Sequence, residues 1–137
     1  MKYLIDASSL LLLIKKTDIK STIQVLQDSA ILDLTFYETG NAVWKETTFK
    51  FLTQKESERL GTLAQSVISK MKQTDHTPED FPKILQIAQT EKLTYYDSSY
   101  VHFAKKAGLI LITEDKELAI KATNYVAVLE VKDLQLP

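Results

Sequence analysis

Four carboxylates carry most of the chemical potential of this 137-residue sequence: Asp6, Glu38, Asp97 and Asp115. Asp6 closes the apolar run Tyr3-Leu4-Ile5, and Asp115 follows the apolar run 109–112. Asp97 opens the helix-like stretch that leads into that second run. Glu38 lies in the first turns of a helical segment that follows the apolar residues 30–34. Ser8 and Thr113 bring hydroxyls to the same positions. An aspartate at such a place often does no more than cap a helix, accepting a free N–H of the first turn. Glu38, inside its helix, does not fit that account. Four like charges gathered at one rim repel each other, and a hard divalent cation such as Mg²⁺ or Mn²⁺ relieves that repulsion. The waters such an ion retains can attack phosphorus, so the implied chemistry is metal-assisted phosphodiester hydrolysis.

The elements expected to position these groups alternate. Strands are predicted over Tyr3–Ile5, 30–34, 109–113 and 125–131. Helices are predicted from residue 7 to Lys16 and over 18–28, 36–50, 54–73, 80–91, 97–107 and 115–122. The clearest has Leu60, Leu63, Ala64, Val67, Ile68 and Met71 on one face. Residues 74–80 read as a turn, and Gly108 as a helix stop. Such alternation implies a parallel sheet with right-handed crossovers and helices on both faces, its ligand site beyond the carboxyl ends of the strands.

Composition bounds the rest. With 45% hydrophobic and 26% charged residues, the chain can bury a core, and 1–137 reads as a single domain. The absence of cysteine excludes a thiolate metal cage, a disulfide scaffold and a catalytic thiol. Seventeen basic against eighteen acidic residues give a net charge of −1, so a nucleic-acid partner would need a local patch. The apolar run 10–14 is too short for a signal peptide or a membrane span, which needs about 20 apolar residues. It is either deeply buried or part of a partner surface. No membrane association and a cytoplasmic location are expected.

The segments Leu4-Ile5-Asp6-Ala7-Ser8, Glu38 with Asn41-Ala42-Val43-Trp44-Lys45, Tyr96-Asp97-Ser98-Ser99-Tyr100, and Leu111-Ile112-Thr113-Glu114-Asp115 resemble the ordered motifs of PIN domains. The closest look is to the compact VapC-type ribonuclease toxins of prokaryotic toxin–antitoxin pairs. That resemblance spans nearly the whole chain. It implies an α/β/α three-layer sandwich around a parallel sheet of four to five strands, and Mg²⁺- or Mn²⁺-dependent endonucleolytic cleavage of RNA. An antitoxin partner and a homodimer are also implied. By the same resemblance, Asp6 and Asp97 would be direct or water-mediated metal ligands. Glu38 and Asp115 would complete the shell, and Ser8 and Thr113 would hold a carboxylate or a metal-bound water. Two departures stand out: Gly40 weakens the Glu38 helix, and a turn-like stretch stands where the family has its third strand.

Lys45, seven residues beyond Glu38, is a candidate contact to a substrate phosphate. Lys15, Lys16, Lys105 and Lys106 read as solvated surface charges. Tyr95, Tyr96 and Tyr100 suit either stacking on unpaired bases or core packing with an edge hydroxyl. His76 and His102 are not expected to be ligands. The alternatives to a toxin are a housekeeping RNA-processing nuclease of the same fold, a Mg²⁺-dependent phosphoryl-transfer or phospho-acceptor domain, and a scaffold without activity. A receiver would show an adjacent acidic pair after its first strand, and a haloacid-type phosphatase an Asp-x-Asp. The sequence has Asp6-Ala7-Ser8. A dead scaffold predicts a missing carboxylate, and all four are present.

Overall fold

A computed structural model describes residues 1–16 and 19–134, the side chains of Lys16 and Ile19 excepted. In chain order the elements are β1 (Tyr3–Ile5), α1 (Ala7–Lys16), α2 (Ile19–Gln27), β2 (Ser29–Leu32), α3 (Leu34–Thr48), α4 (Gln54–Ile68) and β3 (Lys72–Thr74). They continue with α5 (Phe81–Glu91), α6 (Tyr95–Ala107), β4 (Ile110–Ile112), α7 (Lys116–Ala122) and β5 (Val128–Leu129). All five strands run parallel in the order β3-β2-β1-β4-β5. β1 is central, and the strand order reverses beside it, the place where ligands bind in open α/β sheets.

The inner strands β1, β2 and β4 are buried on both faces, and alternate residues feed two cores. Leu4, Ala30, Leu32 and Leu111 pack with Ile84 and Ile87 of α5, Val101 and Ala104 of α6, and Leu118 of α7. Ile5, Ile31 and Ile112 pack on the other face with residues of α1, α2, α3 and α4. Three layers follow, as the period of two requires. The run 10–14 is core: Leu10, Leu11 and Leu13 are buried, while Leu12 and Ile14 are half-buried against the same cluster.

Several boundaries differ from the sequence reading. The second strand stops at Leu32, because Asp33 caps α3 by accepting the Leu34 N–H at 2.9 Å. The expected helix 54–73 ends at Ile68, and the polar residues Lys72-Gln73-Thr74 form the third strand at the sheet edge. The last strand shrinks to Val128–Leu129, which pair only with Leu111 and Ile112. Helix α6 begins at Tyr95, since Thr94 rather than Asp97 is its cap: Thr94 Oγ1 accepts the Asp97 N–H at 3.0 Å.

Gly108 ends α6 with φ +67°, the left-handed conformation that a Cβ disfavours. Gly108→Ala is expected to cost about 1 kcal/mol, measurable as a lower midpoint in urea unfolding with unchanged slope. No described helix is long and apolar enough to cross a membrane.

Candidate functional site

Each of the four carboxylates is placed by local chemistry. The backbone N–H of Asp6 extends the β1–β4 ladder to the Ile112 carbonyl at 3.2 Å. Its side chain turns back to cap α1, where Oδ1 accepts the Ser9 N–H at 2.9 Å and the Ser8 hydroxyl at 3.3 Å. Asp115 caps α7 by accepting the Leu118 N–H at 3.0 Å. Capping is therefore a true but partial account of these two residues, each of which also lines the cavity described below. Asp97 sits in the first turn of α6 and caps nothing. Glu38 lies one turn into α3.

All four open onto one cavity of 790 Å³ beyond the carboxyl ends of β1, β2 and β4. Ser8, Tyr37, Asn41, Lys45 and Tyr96 share its walls. Thr113 stands beneath it, fully buried; its hydroxyl accepts the Asp115 N–H at 3.1 Å.

The site is electrostatically tense. Burial raises the Asp6 carboxyl above its ordinary range, against hydrogen bonds from Thr113, Ser9 and Ser8 that lower it. Burial also raises Glu38, and the charges of Asp6 and Asp97 add to the rise. Asp97 is raised by burial, then by Asp115 and Asp6. Groups so perturbed in a cleft are a hallmark of functional sites.

Tyr100, half-assigned to base stacking by the sequence reading, has another role. Its ring is buried, and its hydroxyl donates to Glu38 Oε1 at 2.6 Å. The Thr35 hydroxyl sits 2.8 Å from the Tyr100 hydroxyl and accepts the Leu32 N–H at 3.1 Å. A relay of hydrogen bonds therefore runs from the end of β2 to Glu38 and fixes its orientation. Thr35 drew no attention in the sequence; its position one turn before Glu38 was the only signal available.

Two of the lysines read as solvated surface charges are exposed and also paired. Lys15 meets Glu46, and Lys106 meets Asp80. The side chain of Lys16 lies outside the described residues. His76 contacts the Tyr95 hydroxyl at 2.6 Å, and His102 contacts Asp80 at 2.8 Å; neither lines the acidic cavity.

The donor set is all oxygen and mostly anionic, which suits a hard divalent cation. Among the described residues no group of three or more His, Cys, Asp or Glu side chains is placed to hold a metal ion.

A family model of the PIN domain matches residues 3–124. The chain belongs to the PIN domain family. This PIN domain is 36% identical over 128 residues to Exonuclease VapC9 of Pyrobaculum aerophilum, spanning 93% of this chain and 91% of the relative. It is 27% identical over 125 residues to Ribonuclease VapC3 of the same organism, spanning 88% and 95%. Among solved structures, PAE2754 from Pyrobaculum aerophilum superposes with a TM-score of 0.80 at 32% identity, over 96% of this chain and 90% of that one. A toxin–antitoxin complex from Klebsiella pneumoniae shares the fold at a TM-score of 0.65 and 18% identity, over 97% and 100%.

Proposed function

We propose that this PIN domain, acting over 1–137 as one unit, is a Mg²⁺- or Mn²⁺-dependent endoribonuclease and the toxin of a toxin–antitoxin pair. The observation that carries the reading is the convergence of Asp6, Glu38, Asp97 and Asp115 on one cavity that also holds Lys45. Kinship with VapC9 and VapC3 supports the nuclease class, and the Klebsiella complex supports an antitoxin partner; a cytoplasmic location and a homodimeric working form are part of the proposal.

In this proposal Asp6 and Asp97 hold the ion directly or through water, and Glu38 and Asp115 complete its surroundings. Bound there, a divalent cation supplies charge neutralisation and water activation. Ser8 and Thr113 orient Asp6. The Lys45 ammonium meets a phosphate oxygen of the strand and offsets part of the repulsion from the acids. The reaction adds water across a P–O bond: the water oxygen joins phosphorus, the ester oxygen departs, and one proton ends on that oxygen.

Tyr100 is a positioning residue. Tyr100→Phe removes the hydrogen bond that lowers Glu38, so Glu38 rises further. If cleavage requires ionised Glu38, the acidic limb of its pH–rate profile moves to higher pH. A limb that stays in place would remove Glu38 from the titrating set.

The deciding experiment is cleavage of a mixed single-stranded RNA pool with Mn²⁺ or Mg²⁺, beside EDTA and Asp6→Asn controls. Cleavage that persists in either control overturns the site. A circular RNA run in parallel separates the modes, because only an endonuclease opens it. The name of VapC9 favours the exonuclease alternative.

A further inference from the structure

A second cavity, of 280 Å³, adjoins the acidic one and shares Leu34, Tyr37 and Tyr96 with it as a common wall. Its character is different. Tyr37, His76, Tyr95, Tyr96 and Phe103 contribute five aromatic rings, and none of its lining residues is a lysine or arginine. Three of these rings are in contact: His76 lies 6.0 Å from Tyr95 and 6.3 Å from Phe103 between centroids, and Phe81 extends the row at 5.9 Å from Tyr95. The His76–Tyr95 hydrogen bond fixes two of these rings relative to each other. Asp33 and His76 are polar groups on the wall that can meet a hydrogen-bonding edge.

We propose that this aromatic cavity receives one unpaired nucleobase of the substrate strand, beside the bond cut in the acidic cavity. The proposal rests on the nuclease reading above. Three observations carry it. A pocket without a cation, bordered by Asp33 and next to four carboxylates, repels phosphate and admits a neutral ring. At 280 Å³ it falls just below the range of pockets for drug-sized ligands, which suits a single heterocycle. Tyr37 and Tyr96 are 80% and 60% exposed although they are large rings, and they stand at the shared wall where a base leaving the strand would pass. Stacking on aromatic faces is the usual way a protein holds an unpaired base. The phosphate would thus meet the acids with their ion and Lys45, while the adjoining base turns into the rings.

The test uses the full-length chain carrying Asp6→Asn, so that the strand survives. Binding of a short fluorescent single-stranded RNA is compared with binding of an abasic strand of equal length and charge. The expected result is a preference of about tenfold or more for the strand with bases, abolished by Tyr96→Leu combined with Tyr37→Leu. Both rings are exposed, so these variants keep the fold, and His76→Ala provides a second variant that should weaken the preference. Equal affinity for the two strands overturns the proposal, as would a pocket that serves a protein side chain. A preference that survives all three substitutions also overturns it, because the bases are then held elsewhere, for instance on exposed Trp44. No binding of either strand overturns it as well. Mn²⁺-dependent cleavage by the unsubstituted protein decides the nuclease reading separately.

Discussion

Asp6→Asn and Asp97→Asn should each lower RNA cleavage by at least about a hundredfold to a thousandfold, while the folded protein becomes more stable in metal-free buffer. Asparagine keeps the oxygen that accepts the Ser9 N–H, so the α1 cap survives at position 6. What disappears is a charge that the fold tolerates poorly. Asp6, Glu38 and Asp97 all have folded-state pKa values raised above their unfolded ones. Their stabilising contribution is fully present below the ordinary carboxylate range and is lost as pH rises through each raised value. At neutral pH the wild type therefore carries a penalty that either asparagine relieves. A melting scan at pH 7 with EDTA should show a higher Tm for both variants, and added Mn²⁺ should stabilise the wild type more than either. A sharply lower Tm for Asp97→Asn would mean that the carboxylate is structural.

Asp80 should behave in the opposite way. It is 2% exposed and lies away from the acidic cavity. Its Oδ1 meets His102 at 2.8 Å and Lys106 at 3.0 Å, and its Oδ2 accepts the Thr77 N–H and hydroxyl, each at 2.9 Å. Burial works to raise this carboxyl, but His102, the Thr77 N–H, Lys106 and the Thr77 hydroxyl together hold it well below the usual range. The linkage therefore reverses: the stabilisation is present above the unfolded carboxylate pKa, near 4, and is lost as pH falls below it. Asp80→Ala leaves His102 buried without its partner and releases the turn before α5. The expected loss is about 3 kcal/mol, or roughly 10 °C in Tm, with cleavage retained at low temperature. The Tm difference from wild type should shrink as pH drops from 6 towards 3. A constant difference would show that packing, rather than the carboxylate's charge, sets the effect.

These two aspartates mark how far the sequence could be read. Asp6 and Asp115 were legible because each ends an apolar run at the rim of a parallel sheet, where geometry leaves few alternatives. The alternation of strands and helices likewise announced the layers. Asp80 showed only a local capping box with Thr77, and its partners His102 and Lys106 reach it only when α5 packs on α6. The third strand was hidden for a related reason. Lys72-Gln73-Thr74 is a polar edge strand, recruited by the exposed side of β2 rather than by its own hydrophobicity. Thr94 was overlooked as a cap because Asp97, three residues later, looked like a better one. Tyr100 could be placed on a helix near Asp97, but its hydroxyl finds Glu38 only across the sheet's rim, a contact no local pattern encodes.

Under the proposed activity, the pairing of β1 with β4 sets when this chain becomes dangerous to the cell that makes it. Ile5 lies opposite Ile112, so the central strand gains its second neighbour only after residue 112 has been synthesised. Thr113, whose hydroxyl accepts the Asp115 N–H, and Asp115, which completes the acidic rim, follow directly behind. A nascent chain lacking residues beyond 109 has Asp6, Glu38 and Asp97 but neither β4 nor Asp115, so its acidic rim is incomplete. Under the proposed activity, toxicity is therefore postponed until residues 110–115 have been made. An antitoxin made alongside has that interval in which to be waiting.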